Sequence, residues 1–393
     1  MRVILLALII LSSSLYGQER FIVVHSPFEH TADTIPFVNY DTTIERETTD
    51  FYIGDYSDEV IDLPQVPATE GLYDSSHFTT RKVASDYYDI TQYPIRTSVK
   101  LYSMYEGKLY FFCSGSLIGD NFVLTAAHCV SEIDENYLKG DSIMVAPVFN
   151  NGEFNKEFET SYVNKIYFLK DWRLGTTDLA LLQLEKNIGE STGWLSIGFD
   201  KVDSSFQDGI FFKFSYPGTK ETFDTVNYNG DDLYYYYGLC DYISSNDYGA
   251  VGARGIRGES GSSLIKIKNL KEYTTFGAFT FSNYLRHSRI TNDIFYTFKS
   301  ILEEDFITDV KNEEITTNYS LYPNPASNKI QLKSPNEKVI TRLIIMDNQS
   351  REVMEITNLG NGSSIDISTL ASGFYYLKIE SNNQMEILKF IKI

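Results

Sequence analysis

Three residues in this 393-residue chain have the types and order needed to turn an alcohol into a nucleophile. His128 lies near the end of FFCSGSLIGDNFVLTAAHCV (residues 111–130), Asp178 opens the apolar run of TTDLALLQLE (176–185), and Ser260 stands in RGESGSSLI (257–265). A serine hydroxyl is a poor nucleophile at neutral pH and needs a positioned imidazole to take its proton. The imidazole in turn needs a buried carboxylate to fix its tautomer and to stabilise the imidazolium. Small residues around the serine let its own amide and that of Gly258 face the oxyanion that develops during attack on a carbonyl. The residues occur in the order His, Asp, Ser, spaced by 50 and 82, and the chemistry they suit is acyl transfer.

Taken singly, each has an ordinary explanation. A histidine beside a cysteine is usually a core or surface residue, an aspartate before a strand is often a turn or cap, and GESGS alone is compatible with a simple turn. It is not the G-x-S-x-G elbow of another hydrolase fold, because Ser262 replaces the last glycine and the residue order differs. Only two histidines fall within residues 83–305. His287, in LRHSRI, has basic neighbours and is expected at the surface. The rival of a different class is a secreted binding protein on an inactive scaffold. The presence of all three residues argues against it.

The surrounding texture says what must hold these residues. From Val83 to Asp305 the chain runs in short segments rich in β-branched and aromatic residues, such as SVKLYSMY, KLYFFCSGSLI, DLALLQL and IFFKFSY, cut by turn signals such as IGDN, NNGEF and NYNGDD. Eight or more such runs with few helices predict an all-β sandwich or barrel, closed by a helix near Ile294–Glu304.

Outside that part, residues 1–17 read as a signal peptide, with Arg2, the apolar run Val3–Leu11 and a cut near Gly17. Residues 18–82 hold 13 acidic and 4 basic side chains and no clear helical or strand period. They read as a removable pro-segment or as a solvated arm. An acidic linker, 306–318, precedes a strand-rich tail, 319–393, expected to form a small β-sandwich. Overall, 34 basic against 53 acidic residues give a net charge of −19, which argues against nucleic acid as a partner. Three cysteines have no metal-finger spacing, so neither a metal nor a cofactor is expected.

LTAAHC, DLALL and GESGS resemble the motifs of the trypsin-like serine proteases, which implies a double six-stranded β-barrel acting on protein or peptide substrates. VASDYYDITQYPIRTSVKL, LEKNIGESTGWLSI and SYPGTK are similar to segments of the bacterial V8-like, or glutamyl endopeptidase, branch, over residues 83–300. That resemblance implies cleavage after Lys82 to free Val83, and a disulfide between Cys113 and Cys129. Cys240 is left over as a small apolar residue. The branch places a pocket histidine where this chain has Phe279. Arg254, six residues before Ser260, stands where the family keeps its pocket-base residue. An arginine there favours an acidic residue before the cut. An arginine in solvent leaves Phe279 to make an apolar, shallow pocket, and the sequence leaves both open. A freed Val83 amine has two possible places, beside Glu259 or lining the pocket.

The tail segments YPNPASNKIQL, DISTLASGFYYLKIE and MEILKFIKI resemble the C-terminal sorting domain of the type IX secretion system. This implies recognition of residues 319–393 by that machinery and export of the protein to the cell surface or medium. A generic surface-binding β-module is the alternative. A monomer is expected.

Overall fold

Six of the β-rich runs close on themselves. Strands Ser98–Tyr105, Lys108–Leu117 and Phe122–Thr125 form an antiparallel meander, and Ser142–Pro147 pairs with the free side of the first. Ser161–Leu169 follows, and Ala180–Leu184 pairs with both it and Phe122–Thr125, so the sheet ends where it began. Closure leaves little ladder edge exposed, part of Ser161–Leu169 excepted, and encloses a core that includes Val99, Leu117, Val123, Val145, Ile166 and Leu181. This computed structural model describes residues 21–27, 31–36, 48–56, 60–73, 76–131, 142–170, 172, 177–219, 226–267, 273–281, 284–309, 319–324, 326–333, 340–347, 351–359, 363–371, 373–381 and 384–392. The expected signal peptide, and residues 310–318 of the expected linker, lie outside them.

The second half of the expected double barrel is built from two sheets. Ile210–Ser215 lies between Tyr234–Gly238 and Leu264–Ile267, and the sheet continues through Tyr273–Thr275 to Ser196–Asp200. Gly277–Phe281, Leu285–Arg289, Asp247–Ala250 and Tyr242–Ile243 form the other. Its cores are markedly aromatic, with Phe212, Phe214, Tyr216 and Tyr235 in one and Phe206, Phe211, Tyr248 and Phe279 in another. The helix Asn292–Asp309 is longer than the run that predicted it. It buries Ile294, Phe295, Phe298, Ile301 and Leu302, one stripe at helical spacing, in the first core.

Residues 18–82 hold more structure than their pattern suggests. Phe21–Ser26 pairs with Ser161–Leu169 and with Thr31–Pro36, Thr49–Tyr52 pairs with Ser196–Asp200, and Lys82 and Val83 lie opposite Tyr235 and Tyr234. These strands sit on edges that the barrels already present, so their own sequences need no strong alternation. All of this belongs to a compact unit, Met1–Glu303.

The other unit, Glu304–Ile393, has its own core. A three-stranded sheet, Ser320–Tyr322, Lys329–Lys333 and Ser364–Asp366, accompanies a four-stranded one, ordered Glu352–Leu359, Ile340–Asp347, Gly373–Ser381 and Gln384–Lys392. Alternate residues Leu343 and Ile345, Leu377 and Ile379, and Ile330 and Leu332 are buried between them. No described helix is long and apolar enough to cross a membrane.

Candidate active site

His128 is delivered by the end of the third barrel strand. After Thr125 the chain passes through extended Ala126 into a single helical turn, Ala127–Val130. Ala126 and Ala127 are wholly buried, so small side chains let this turn lie flush on the barrel. The Cys113–Cys129 disulfide, expected from the family resemblance, is present and ties the turn to strand Lys108–Leu117. The disulfide sulfurs lie near His128 Nε2, but sulfurs bonded to each other offer no thiolate for a metal.

Asp178 is fully buried and His128 is about one-quarter exposed. The carboxylate touches the histidine twice: Oδ2 is 2.6 Å from His128 Nδ1, and Oδ1 accepts the His128 backbone N–H at 2.8 Å. Asp178 is itself held by its N–H, which donates to Ser288 Oγ at 3.1 Å. A carboxylate in this position keeps the imidazole proton on Nδ1 and leaves the Nε2 lone pair available.

Ser260 stands between two glycines with φ of +95° (Gly258) and +84° (Gly261), conformations that disfavour a Cβ. A Cβ on Gly261 would come within 2.0 Å of Thr125 Oγ1 and 2.4 Å of the Ser114 carbonyl oxygen. The serine turn therefore lies directly on the two strands that lead to His128. Ser114 clamps it: its N–H donates to the Ser260 carbonyl at 2.8 Å and its hydroxyl to that of Gly258 at 2.8 Å. Among the described residues, neither the Gly258 nor the Ser260 amide donates to a backbone carbonyl.

Glu259, beside the serine, is completely buried. Arg81 reaches it with a two-pronged ion pair, Nε to Oε1 at 2.9 Å and Nη2 to Oε2 at 2.8 Å. The carboxylate also accepts Ser215 Oγ–H at 2.9 Å and the Ile256 N–H at 2.8 Å. Burial alone pushes this carboxyl up, but Arg81 and the other donors outweigh it and hold it below its ordinary range.

Of the residues the sequence nominates for a pocket, Phe279 lies against the Ser260 loop, its carbonyl accepting the Gly261 N–H at 2.9 Å. The Arg254 side chain is exposed, and Val83 lies in an edge strand opposite Tyr234. Phe279 is buried, and its ring presses on Gly255, where a Cβ would fall 1.8 Å from Cζ. Behind it is a polar cluster the sequence did not announce. Lys213 donates to Ser262 Oγ and lies 3.4 Å from His287 Nε2, with its ammonium 4.1 Å from the Phe279 ring centre. Burial lowers Lys213 to about 7, and burial and then Lys213 push His287 well below its ordinary value. His287 is thus interior rather than at the surface. Its strand buries Leu285, His287 and Arg289 alike, and Arg289 pairs with Asp203 at 2.6 Å and donates to the Ser244 carbonyl at 2.7 Å. Arg81 was equally unannounced. One of only four basic residues in an acidic segment, and a glutamate beside the serine in need of a cation, were the available signals.

The trypsin family model matches residues 85–284, and the model of the secretion system C-terminal sorting domain matches 320–393. No curated protein matches the chain. Among solved structures, one described as Glu endopeptidase in complex with MPD is similar at 18% identity, with a TM-score of 0.45, over 57% of this chain and 96% of that one. With a trypsin match over half its length and a sorting-domain match over its last strands, this chain belongs to the trypsin family of serine proteases and carries a type IX secretion sorting domain.

Proposed function

We propose that the protein is an exported serine endopeptidase in which Ser260 is the nucleophile, His128 the general base and acid, and Asp178 the group that orients His128. The observation that carries this reading is the buried Asp178 carboxylate 2.6 Å from His128 Nδ1, with the Ser260 turn packed on the strands leading to that histidine. In the first step His128 Nε2 takes the hydroxyl proton as Ser260 Oγ bonds to the scissile carbonyl carbon. The carbonyl oxygen, now an anion, is received by the Gly258 and Ser260 amides. His128 then gives its proton to the departing amine, leaving an acyl-Ser260, and the same steps with water release the acid and restore the serine.

The residue before the cut follows from Arg254 and Phe279. An exposed arginine attracts an acidic side chain as a surface pair does, by about 0.2–1 kcal/mol, or at most about fivefold. The preference for Glu or Asp is therefore mild and salt-sensitive, over a pocket narrowed by Phe279 against Gly255. Cleavage-site profiling on a peptide library tests both parts. Turnover by the wild type that vanishes in Ser260→Ala supports the mechanism, and near-normal turnover in Ser260→Ala defeats it. An Arg254→Ala variant with unchanged preference removes the arginine from the pocket.

A further inference from the structure

Glu259 is adjacent to the proposed nucleophile, is fully buried, and is charged. Its cation comes from residue 81, within the segment that the sequence reads as removable. The contact is bidentate, and both side chains have zero exposure. Arg81 is fully engaged: besides both Glu259 oxygens it donates to Tyr73 Oη, to Tyr236 Oη at 3.1 Å and to the Arg254 backbone carbonyl. Its guanidinium carbon also lies 4.4 Å from the Tyr236 ring centre. The network reaches along the whole nucleophile loop. Arg81 holds the Arg254 carbonyl, Glu259 holds the Ile256 amide and Ser215, and the next residue is Ser260. Resting on the reading of Ser260 as nucleophile, we propose that Arg81 is a positioning residue, a built-in cation that holds the nucleophile loop in its working shape in the uncut chain.

The argument is one of charge and reach. A buried carboxylate with no partner is strongly unfavourable, and removing one member of a buried ion pair costs far more than the pair contributes net. The chain meets this need with a side chain in peptide linkage to the protease, so no newly freed amino terminus is required to form the loop. Val83 cannot serve in this arrangement. It is two residues further on, in a strand opposite Tyr234, and Ala84 N–H donates to the Leu233 carbonyl at 2.8 Å. A cut between exposed Lys82 and Val83 places Arg81 beyond the break, held by its pocket and by the non-covalent contacts of its segment, among them the edge strands of residues 21–52, the buried Leu63 and Phe78 side chains, and the Thr79 N–H donating to the Tyr237 carbonyl at 2.9 Å. Loss of the segment then strips Glu259 of its cation. Lysine is a poor substitute, because a single ammonium cannot span both oxygens, two phenols and a carbonyl.

The test uses the full chain carrying Lys82→Gln, which blocks a cut by trypsin-like enzymes at that bond. Peptide turnover, fluorophosphonate labelling rate and thermal midpoint are measured with and without Arg81→Ala. The expected result is an active uncut chain whose kcat falls about 100-fold or more on Arg81→Ala while KM stays within about threefold. Millimolar propylguanidine is expected to recover part of the loss, which a general destabilisation does not allow. Should Arg81→Ala fail to fold, Arg81→Lys is expected to lower kcat about tenfold with a near-native thermal midpoint. An inert uncut chain beside an active protein that begins at Val83 and lacks residues 18–82 overturns the proposal. So does Arg81→Ala with unchanged kcat. Full turnover in Ser260→Ala overturns instead the nucleophile assignment beneath it, so the two failures are distinguishable.

Discussion

Replacing Gly261 by alanine puts one methyl group between the loop of Ser260, the proposed nucleophile, and the strands that lead to His128, its proposed base. The new Cβ would lie 2.4 Å from the Ser114 carbonyl oxygen and 3.0 Å from the Ala126 nitrogen. Thr125 Oγ1, at 2.0 Å, can rotate away, but the two backbone atoms belong to the barrel and to the turn that bears His128. Relieving the carbonyl contact requires a displacement of about 1 Å between the Ser260 loop and that wall, a distance that costs about 100-fold in rate when reacting groups are misaligned by it. The φ of +84° adds about 1–2 kcal/mol of backbone strain. Gly107→Ala is the control. Its φ is +73° with nothing within 4 Å of the added methyl, so it bears the strain without the clash. With kcat/KM measured on a quenched peptide and thermal midpoints recorded, both variants should lose a few degrees. Only Gly261→Ala should lose about 100-fold in kcat/KM. A Gly261→Ala enzyme within threefold of wild type, or no worse than Gly107→Ala, would refute the packing of nucleophile against base.

Further consequences are as direct. Asp178→Asn should lower kcat by about 10³ to 10⁴ with little change in KM, and combining it with Ser260→Ala should cost little more than Ser260→Ala alone, by peptide kinetics. Because Lys213 is lowered to about 7 in the folded protein, the unfolded chain binds the extra proton above that pH. Stability should therefore rise between pH 7 and 8.5 by up to about 1.4 kcal/mol per unit and be lost as the pH falls toward 7. Lys213→Met should flatten that slope in denaturant titrations. Deleting residues 319–393 should leave active enzyme inside the outer membrane of a host with a type IX system, read by fractionation and peptide turnover.

What the sequence discloses depends on how local the signal is. His128, Asp178 and Ser260 each sit in a short context of small or apolar residues that their geometry demands, so type, order and spacing suffice to nominate them. The all-β fold follows similarly from runs of β-branched and aromatic residues. Arg81 and Glu259 are 178 positions apart, and an arginine in an acidic segment looks solvated until the fold buries it. His287 was obscured by its neighbours. Arg286 pairs with Asp247 at 2.7 Å and Arg289 with Asp203 at 2.6 Å, so a strand that reads as basic surface is largely interior. The edge strands of residues 21–52 were hidden for another reason: their partners' ladders, rather than their own alternation, define them.

The central claim is that Ser260 is made nucleophilic by the His128–Asp178 pair. Mass mapping of the fluorophosphonate adduct tests it most directly, since the reagent bonds covalently only to an activated hydroxyl. The account predicts one adduct, on Ser260, formed rapidly in the wild type, at least about 10³-fold more slowly in His128→Ala, and absent in Ser260→Ala. Equal labelling of the His128→Ala protein, or an adduct on another residue that persists in Ser260→Ala, would contradict it.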